Sequence, residues 1–333
     1  MNRLSLLIFL IWPLLSSCNS QEEGGNEFSN LEKITGELEN QGNILSLHLD
    51  TLAHFYQKQI ENWDSLKKNA DFNKYQFQDA FSNNMPYQDS TLSSVIVLNT
   101  TPDRNKALEE VAITNFLDDR FASFYRKNPL ITQVYSNSAN QVSRVYPAYD
   151  HRNIVDPNLD VTDFNFYYAA NEVNNPSKGI VWIKDTYVDP AGKGWILSLV
   201  HPIYRENELF AVLGADFTVD DVIHNYFENY SGEYLLVNSK GDIIAGKSRA
   251  IEMLSMPPLK NHVYRETVKS EFFRISDFNL FNSKSREVRS MAQEFLLNKK
   301  VEFSFQIEKN LIKAMCRPVK GIDWTLIQII PSS

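Results

Sequence analysis

The stretch from Asp185 to Tyr204, DTYVDPAGKGWILSLVHPIY, places an aromatic ring and two carboxylates directly before an apolar run. Within it, Tyr187 and Asp189 can bind a polar ligand through a ring face and through hydrogen bonds. Asp189 also precedes Pro190, and Asp is common in tight turns because its side chain bonds nearby backbone groups. The stretch therefore has two interpretations, as the shoulder of a turn or as the wall of a binding pocket.

Other residues suited to chemistry do not fall into a catalytic or metal-binding spacing. Asp156, Asn158 and Asp160 alternate as at the start of a calcium loop. However, Val161 replaces the glycine expected at its sixth position, and Tyr167 replaces the glutamate expected at its twelfth. The six histidines are scattered, and there is no nucleophile elbow, phosphate-cradling glycine loop or His-Glu-x-x-His motif. We expect no enzyme activity, no cofactor and no metal site.

Length and charge limit the size of the fold and the class of partner. The 333 residues are enough for two compact modules, since single cores stop growing at roughly 250 to 300 residues. With 33 basic and 41 acidic residues the formal charge is -8, which argues against binding to nucleic-acid phosphates. Partners are expected to be neutral, cationic or protein.

The N-terminus has the pattern of a secretion signal. Residues 1–18, MNRLSLLIFLIWPLLSSC, contain one early cation and an apolar run that is shorter than the about 20 residues which span a bilayer. Their end, Leu15-Ser16-Ser17-Cys18, resembles the lipobox of bacterial lipoproteins, in which the cysteine is lipidated. The alternative is an ordinary signal peptide with an incidental cysteine.

A lipoprotein of this kind is held in the bacterial cell envelope by its acyl chains, on the periplasmic or surface side. Residues 19–27 are then a polar tether. Asn19 is not the Asp associated with inner-membrane retention, which favours the outer membrane slightly. Cys316 is the other cysteine of the chain, so no intramolecular disulfide is expected and Cys316 is predicted to pack as a small buried hydrophobe.

The remaining sequence predicts three successive parts. Residues 28–90 are assigned to a long helix and its connection, because apolar residues recur there at steps of three, four and seven. This stripe predicts packing either along the body of the same chain or against a second copy in a homodimer. Residues 91–230 and 231–331 each contain a predicted hairpin, a helical excursion and a meander of three strands. The predicted fold class is α+β, with antiparallel sheets in two modules.

Several segments of this order resemble a known family, the extracytoplasmic double Cache sensor domains of bacterial chemoreceptors and sensor kinases. They are the long N-terminal helix and the segments ITQVYSNSANQVSRVYP, GWILSLVHPIYRENELFAVLGADFT, GEYLLVNSKGDII and GIDWTLIQIIP. The resemblance extends from about Phe28 to Pro331. It implies two stacked PAS-like modules, with a small-molecule pocket in the first, membrane-distal one.

The resemblance also implies which residues contact a ligand. Amino-acid-binding members of the family use a Tyr-x-Asp pair and a later Asp, which fall here on Tyr187, Asp189 and Asp216. The aromatic pair of the family falls on Phe166 and Tyr167. These residues are the predicted walls of the pocket.

One position departs from the family pattern. The arginine that clamps a ligand carboxylate in amino-acid-binding members falls on Phe164, and no arginine lies between Arg152 and Arg205. An aromatic ring at Phe164 can line the pocket but cannot make the bidentate contact. Acids and rings without the arginine suit an ammonium group instead, as in the amine-sensing branch of the family.

These observations predict a lipid-anchored, extracytoplasmic ligand-binding protein of the sensor type. Its ligand is expected to be a small molecule that bears an amine or is similar to an amino acid. The sequence ends at Ser333, two residues after Pro331, so signalling is expected to pass through a partner such as a membrane receptor or kinase. The alternative is a structural or interaction lipoprotein that has the same fold and binds no ligand.

Overall fold

The computed structural model of the chain describes residues 22–264, 267, 274–307 and 310–331. Within these ranges, antiparallel strands in two sheets follow a long N-terminal helix, so the predicted α+β class is confirmed. The predicted signal peptide, with Cys18 at its end, lies outside the described residues. In the part of the chain that is described, no helix has the length and apolar character needed to cross a membrane.

The helices and strands have the following bounds. The helices are α1 (Glu22–Ile60), α2 (Trp63–Lys68), α3 (Arg104–Ile113), α4 (Leu117–Lys127), α5 (His151–Ile154), α6 (Asn165–Tyr168), α7 (Val219–Val222), α8 (Ser248–Met253) and α9 (Arg286–Ala292). The strands are β1 (Phe77–Gln78), β2 (Phe81–Ser82), β3 (Ser94–Val97), β4 (Gln133–Ser138), β5 (Val142–Tyr146), β6 (Val181–Trp182), β7 (Tyr187–Val188), β8 (Trp195–Arg205), β9 (Glu208–Thr218), β10 (Glu233–Asn238), β11 (Ile243–Gly246), β12 (Glu302–Ile307), β13 (Asn310–Val319) and β14 (Trp324–Pro331).

Helix α1 packs along the body of its own chain. It begins at Glu22, six residues before the predicted start, so the predicted tether overlaps its first turns. Leu31, Ile34 and Leu38 are buried in the core of the second sheet, whereas Leu45 and Leu49 are buried in the core of the first. The spacing of three to four residues keeps these side chains on one face of the helix. The apolar stripe is thus accounted for within the chain, and a homodimer stays a prediction.

The first sheet has the strand order β1-β2-β3-β5-β4-β9-β8-β6, with β7 paired to β8. Its central strands are long apolar runs, because both faces are covered. One face packs on α1 and α4, and the other packs on the segment from Tyr149 to Ala191, which contains α5 and α6. The pocket lies on this second face. The sheet starts with β1 at Phe77, ahead of residue 91, where the first module is predicted to begin.

The second sheet has the order β11-β10-β14-β13-β12. Its hairpin, helical excursion and meander follow in the predicted order, and residues of α1, α8 and α9 cover its core. Cys316 of β13 is free and 4% exposed, and burial raises the pKa of its thiol to about 12. The prediction that Cys316 packs as a buried hydrophobe is confirmed.

Candidate functional site

Three neighbouring strands place a row of polar side chains on the covered face of the first sheet. Gln133 of β4 is paired with Asp216 of β9, and Asp216 is paired with Ser198 of β8. All three are buried, with exposed fractions of 2%, 1% and 0%. Because residues paired across strands point to the same face, these polar groups lie side by side inside an apolar sheet.

Gly214 lets an aromatic ring join this row. Gly214 is paired with Tyr135 of β4, and a Cβ atom on Gly214 would lie 2.1 Å from Cζ of the Tyr135 ring. The Tyr135 ring therefore lies directly over the backbone of Gly214 in β9, in the space that any larger residue at position 214 would fill with its side chain. The Gly-Ala-Asp segment supplies both the space for Tyr135 and the carboxylate of Asp216.

Asp189 reaches the row from the loop between β7 and β8. Its carboxylate accepts hydrogen bonds from the backbone N–H groups of Ala191, at 3.0 Å, and Lys193, at 3.2 Å. Its own backbone N–H donates to Gly194 and its carbonyl accepts from Gly192. Asp189 is nevertheless 5% exposed and lines the pocket. Asp189 is thus both a turn residue and a wall residue.

The two carboxylates converge on a single nitrogen atom. Nε2 of Gln133 donates to Oδ2 of Asp216 at 2.8 Å and to Oδ2 of Asp189 at 3.2 Å. The Ser198 and Tyr135 side chains lie beside Asp216 and lower its pKa by hydrogen bonding. The spacing of the two acids is therefore one that a single N–H donor group can satisfy.

Burial makes both carboxylates hard to ionise. Burial raises the pKa of Asp189, although the N–H groups of Ala191 and Lys193 act in the opposite direction. Burial and then the nearby charge of Asp189 raise the pKa of Asp216 well above its ordinary value. Two buried acids this close require a proton or a cation between them.

Aromatic rings form the wall beside the acids. The Phe164 and Phe166 rings stack with centroids 5.4 Å apart, and Phe166 is also 5.9 Å from Tyr187 and 5.5 Å from Tyr135. The hydroxyl of Tyr187 lies 2.7 Å from that of Ser198, which fixes the ring beside Asp216. Ring faces attract cations at distances of up to about 6 Å.

Five of the six predicted ligand-binding residues line one cavity, namely Phe164, Phe166, Tyr187, Asp189 and Asp216. We call it the carboxylate pocket. The sixth, Tyr167, is buried in the core beneath this face but lies outside the pocket wall. The reason is helical geometry, since adjacent residues of α6 point about 100° apart and Phe166 takes the direction of the pocket.

The carboxylate pocket is small and contains no basic group. Its volume is about 50 Å³ open to the centre of a water molecule, which is room for a few non-hydrogen atoms. Among the residues the structure describes, no lysine, arginine or histidine lines it. Arg144 is adjacent in β5 but points to the other face, where it donates to Asp118 at 2.7 Å. A ligand carboxylate would thus meet two acids and no cation.

Sequence reasoning missed Gln133, Tyr135, Asn137 and Tyr149, of which all but Gln133 line the pocket. Gln133, Tyr135 and Asn137 alternate along β4, and alternate residues of a strand share a face. A polar residue, an aromatic and a second polar residue on one face of a buried strand were the available signal. Tyr149 follows β5 in an irregular segment and carries no such signal.

Comparison with known proteins finds similar solved structures. No protein-family model matches the chain, and no curated protein does. The ligand-binding domain of the Pseudomonas fluorescens chemoreceptor CtaA with L-alanine is 15% identical, with 69% of this chain and 86% of that chain covered and a TM-score of 0.44. The sensory domain of the Campylobacter jejuni chemoreceptor Tlp3 is 14% identical, with 93% and 98% covered and a TM-score of 0.44.

The ligand-binding domain of the Pseudomonas aeruginosa chemoreceptor PctB with L-Gln is 15% identical, with 88% and 89% covered and a TM-score of 0.41. All three are chemoreceptor ligand-binding domains, the class of domain that the sequence resemblance indicated. Identity and TM-score are low in each case, so the function of this chain is inferred from the chemistry of its own pocket.

Proposed function

We propose that the chain is a sensor-type binding protein for a small molecule with a primary ammonium group. The observation that carries this proposal is the convergence of Asp189 and Asp216 on one nitrogen, that of Gln133. An ammonium group has three N–H donors and one positive charge. It supplies the positive charge that the two buried acids lack, together with N–H donors for their oxygens.

The ring wall favours the same ligand class. Phe164, Phe166 and Tyr187 offer ring faces next to the acids, and each cation-π contact contributes roughly 0.5 to 2 kcal/mol in a desolvated site. Aliphatic side chains, among them Ile96, Leu98 and Val145, form another part of the wall and suit a short alkyl group. With no basic residue in the described wall, a free carboxylate on the ligand would be left unpaired.

A thermal-shift titration with n-propylamine, n-propanol and propionate tests the proposal, because the three probes differ mainly in charge. n-Propylamine is expected to raise the melting temperature, since a ligand at 100 times its dissociation constant stabilises a fold by about 2.7 kcal/mol. Propanol is expected to act weakly and propionate not at all. Asp189→Asn and Asp216→Asn are expected to abolish the shift, while Asp79→Asn on the exposed surface keeps it.

If none of a series of small amines shifts the melting temperature, the ammonium site is refuted and the alternative of a structural protein without a ligand gains support. If the amine shift survives in both Asp variants, binding occurs elsewhere on the chain. Propionate binding as tight as that of n-propylamine would also contradict the proposal.

The envelope location is part of the same proposal and is supported by sequence alone. Leu15-Ser16-Ser17-Cys18 has the lipobox pattern, and a lipidated Cys18 would tether the domain to a membrane. In a bacterial host, an alkyne-labelled fatty acid is expected to be incorporated into the wild type and not into Cys18→Ser. Equal labelling of both would rule out lipidation at Cys18.

A further inference from the structure

A second cavity lies where α1 meets both sheets. Leu38 of α1, Trp182 and Phe217 of the first sheet, and Ile322 and Trp324 of the second module line it. We call it the junction cavity. Its volume, about 80 Å³ open to the centre of a water molecule, exceeds that of the carboxylate pocket. It lies on the α1 side of the first sheet and shares no lining residue with the carboxylate pocket.

The wall of the junction cavity is mainly apolar and aromatic. The Trp182 and Trp324 rings meet edge to face with centroids 6.2 Å apart, and Phe217 is 5.8 Å from Trp182. Gly42 of α1 opens the helix side, where an added Cβ would lie 3.5 Å from both Ile322 and Trp182. Sites for small molecules are typically apolar concavities with a few fixed polar groups.

One polar group in this wall has no partner. Trp324 is 3% exposed, and among the described residues its indole Nε1 donates to no acceptor. A buried indole N–H normally finds an acceptor, because leaving it unpaired costs free energy. The same residue lines the junction cavity, so a molecule held there lies against the indole whose donor is unpaired.

Desolvation selects against an ionic ligand. Asp221 and Lys127 both border the junction cavity, so its rim carries one acid and one base. Oδ2 of Asp221 already accepts from the Thr132 hydroxyl at 2.8 Å and from the Thr218 backbone at 2.8 Å. The opposite charges leave no net preference for an anion or a cation, and the aromatic wall would strip water from either ion without replacing it. A neutral molecule with one acceptor satisfies both constraints.

We propose that the junction cavity binds a small, uncharged and largely apolar molecule whose single oxygen acceptor takes a hydrogen bond from Trp324 Nε1. This site is separate from the carboxylate pocket. It is formed only where α1 and both sheets come together.

Cyclohexanone and cyclohexane are the probes, because they have the same ring and differ in the acceptor. In nitrogen-15 spectra of the full chain, cyclohexanone is expected to shift the indole N–H signal of Trp324. It is expected to bind about 3- to 10-fold tighter than cyclohexane, the effect of one neutral hydrogen bond. Trp324→Phe, which keeps a ring and removes the donor, is expected to abolish that preference.

Three further variants complete the test. Gly42→Leu extends a side chain toward Ile322 and Trp182 and is expected to exclude both probes. Trp63→Phe, outside the cavity, is the matched control and is expected to change nothing, and Asp216→Asn is expected to leave cyclohexanone binding intact. Equal binding of the two probes, or an unmoved Trp324 signal at saturation, would overturn the proposal. If Trp324→Phe does not fold, the wild-type spectrum and Gly42→Leu decide.

Discussion

Asp189 uses one carboxylate for two tasks. Its two oxygens accept backbone N–H groups of the loop that follows, and the same Oδ2 faces Asp216 across the Gln133 amide. The loop therefore fixes the position of the charge before any ligand arrives, and binding does not have to order the side chain. At the residue scale, Asp189 both shapes the turn and lines a cavity, and its contact with a ligand stays a prediction.

The raised pKa of Asp216 predicts how stability varies with pH. The folded chain holds a proton on this group more tightly than the unfolded chain does. The free energy of unfolding is therefore highest below the ordinary carboxyl pKa of about 4 and falls as the pH rises toward the folded pKa. Without ligand at about pH 8, Asp216→Asn is expected to be roughly 1–3 kcal/mol more stable than the wild type, because it buries no charge.

Urea unfolding between about pH 5 and pH 8 measures this difference. The slope of stability against pH should flatten in Asp216→Asn, while the exposed control Asp79→Asn should stay within about 0.5 kcal/mol of the wild type. A wild type that gains stability over this range, or an Asp216→Asn variant with an unchanged slope, would contradict the prediction. n-Propylamine should bind the wild type more tightly at the higher pH.

Gly214 gives a second prediction at the same scale. In Gly214→Ala the new methyl group must displace the Tyr135 ring, since the two would be 2.1 Å apart. Overpacking of this kind costs about 1–3 kcal/mol, and moving Tyr135 also disturbs Phe166 beside it. Urea unfolding and n-propylamine titration should both show losses. The control is Gly179→Ala, whose Cβ meets only Ser177 at 3.6 Å; comparable losses in both variants would exclude this cause.

At the element scale, helix α1 contains a glycine that its surroundings do not require. Nothing lies within 4 Å of a Cβ placed on Gly36, which is exposed in the middle of the helix. Gly36→Ala is expected to raise the free energy of unfolding by about 0.5–1 kcal/mol, because alanine loses less backbone entropy in a helix. Urea denaturation provides the measurement.

Gly194 is the matched control for Gly36. A Cβ placed on Gly194 also meets open space, but the φ of +90° at this residue is a conformation that other residues rarely adopt. Gly194→Ala is therefore expected to lose about 1 kcal/mol or more. If both Gly36→Ala and Gly194→Ala raised the free energy of unfolding, backbone conformation would not determine the effect of alanine at these two positions.

The elements differ in how well the sequence predicts them. Strands β8 and β9 are easy to see in the sequence, because each is a long apolar run between turn residues. β1, β2 and β7 are each two residues long, which is too short to show the alternation of apolar and polar residues that identifies a strand in a sequence. The contact of Gln133 with Asp216 depends on the register between β4 and β9, which pairs residues 83 positions apart. No local pattern contains that information.

The whole molecule is linked by α1, which belongs to both cores. Ile34 is fully buried in the core of the second sheet and Leu49 in that of the first. Trp182 and Trp324 extend the contact between the two modules beside the helix. A structural unit shared by two cores makes their unfolding cooperative, because neither core can open without exposing part of the helix face.

This linkage predicts that n-propylamine, bound in the first module, protects the second. In calorimetry the wild type is expected to show one transition that moves as a whole, and backbone amides of β10 and β14 are expected to exchange more slowly with the amine bound. Ile34→Ala should cost about 2–5 kcal/mol and separate a second-module transition that the amine does not move. Ile44→Ala, on the same helix but 37% exposed, should keep the single transition. If the amine protects only first-module amides in the wild type, the two cores unfold independently and α1 does not couple them.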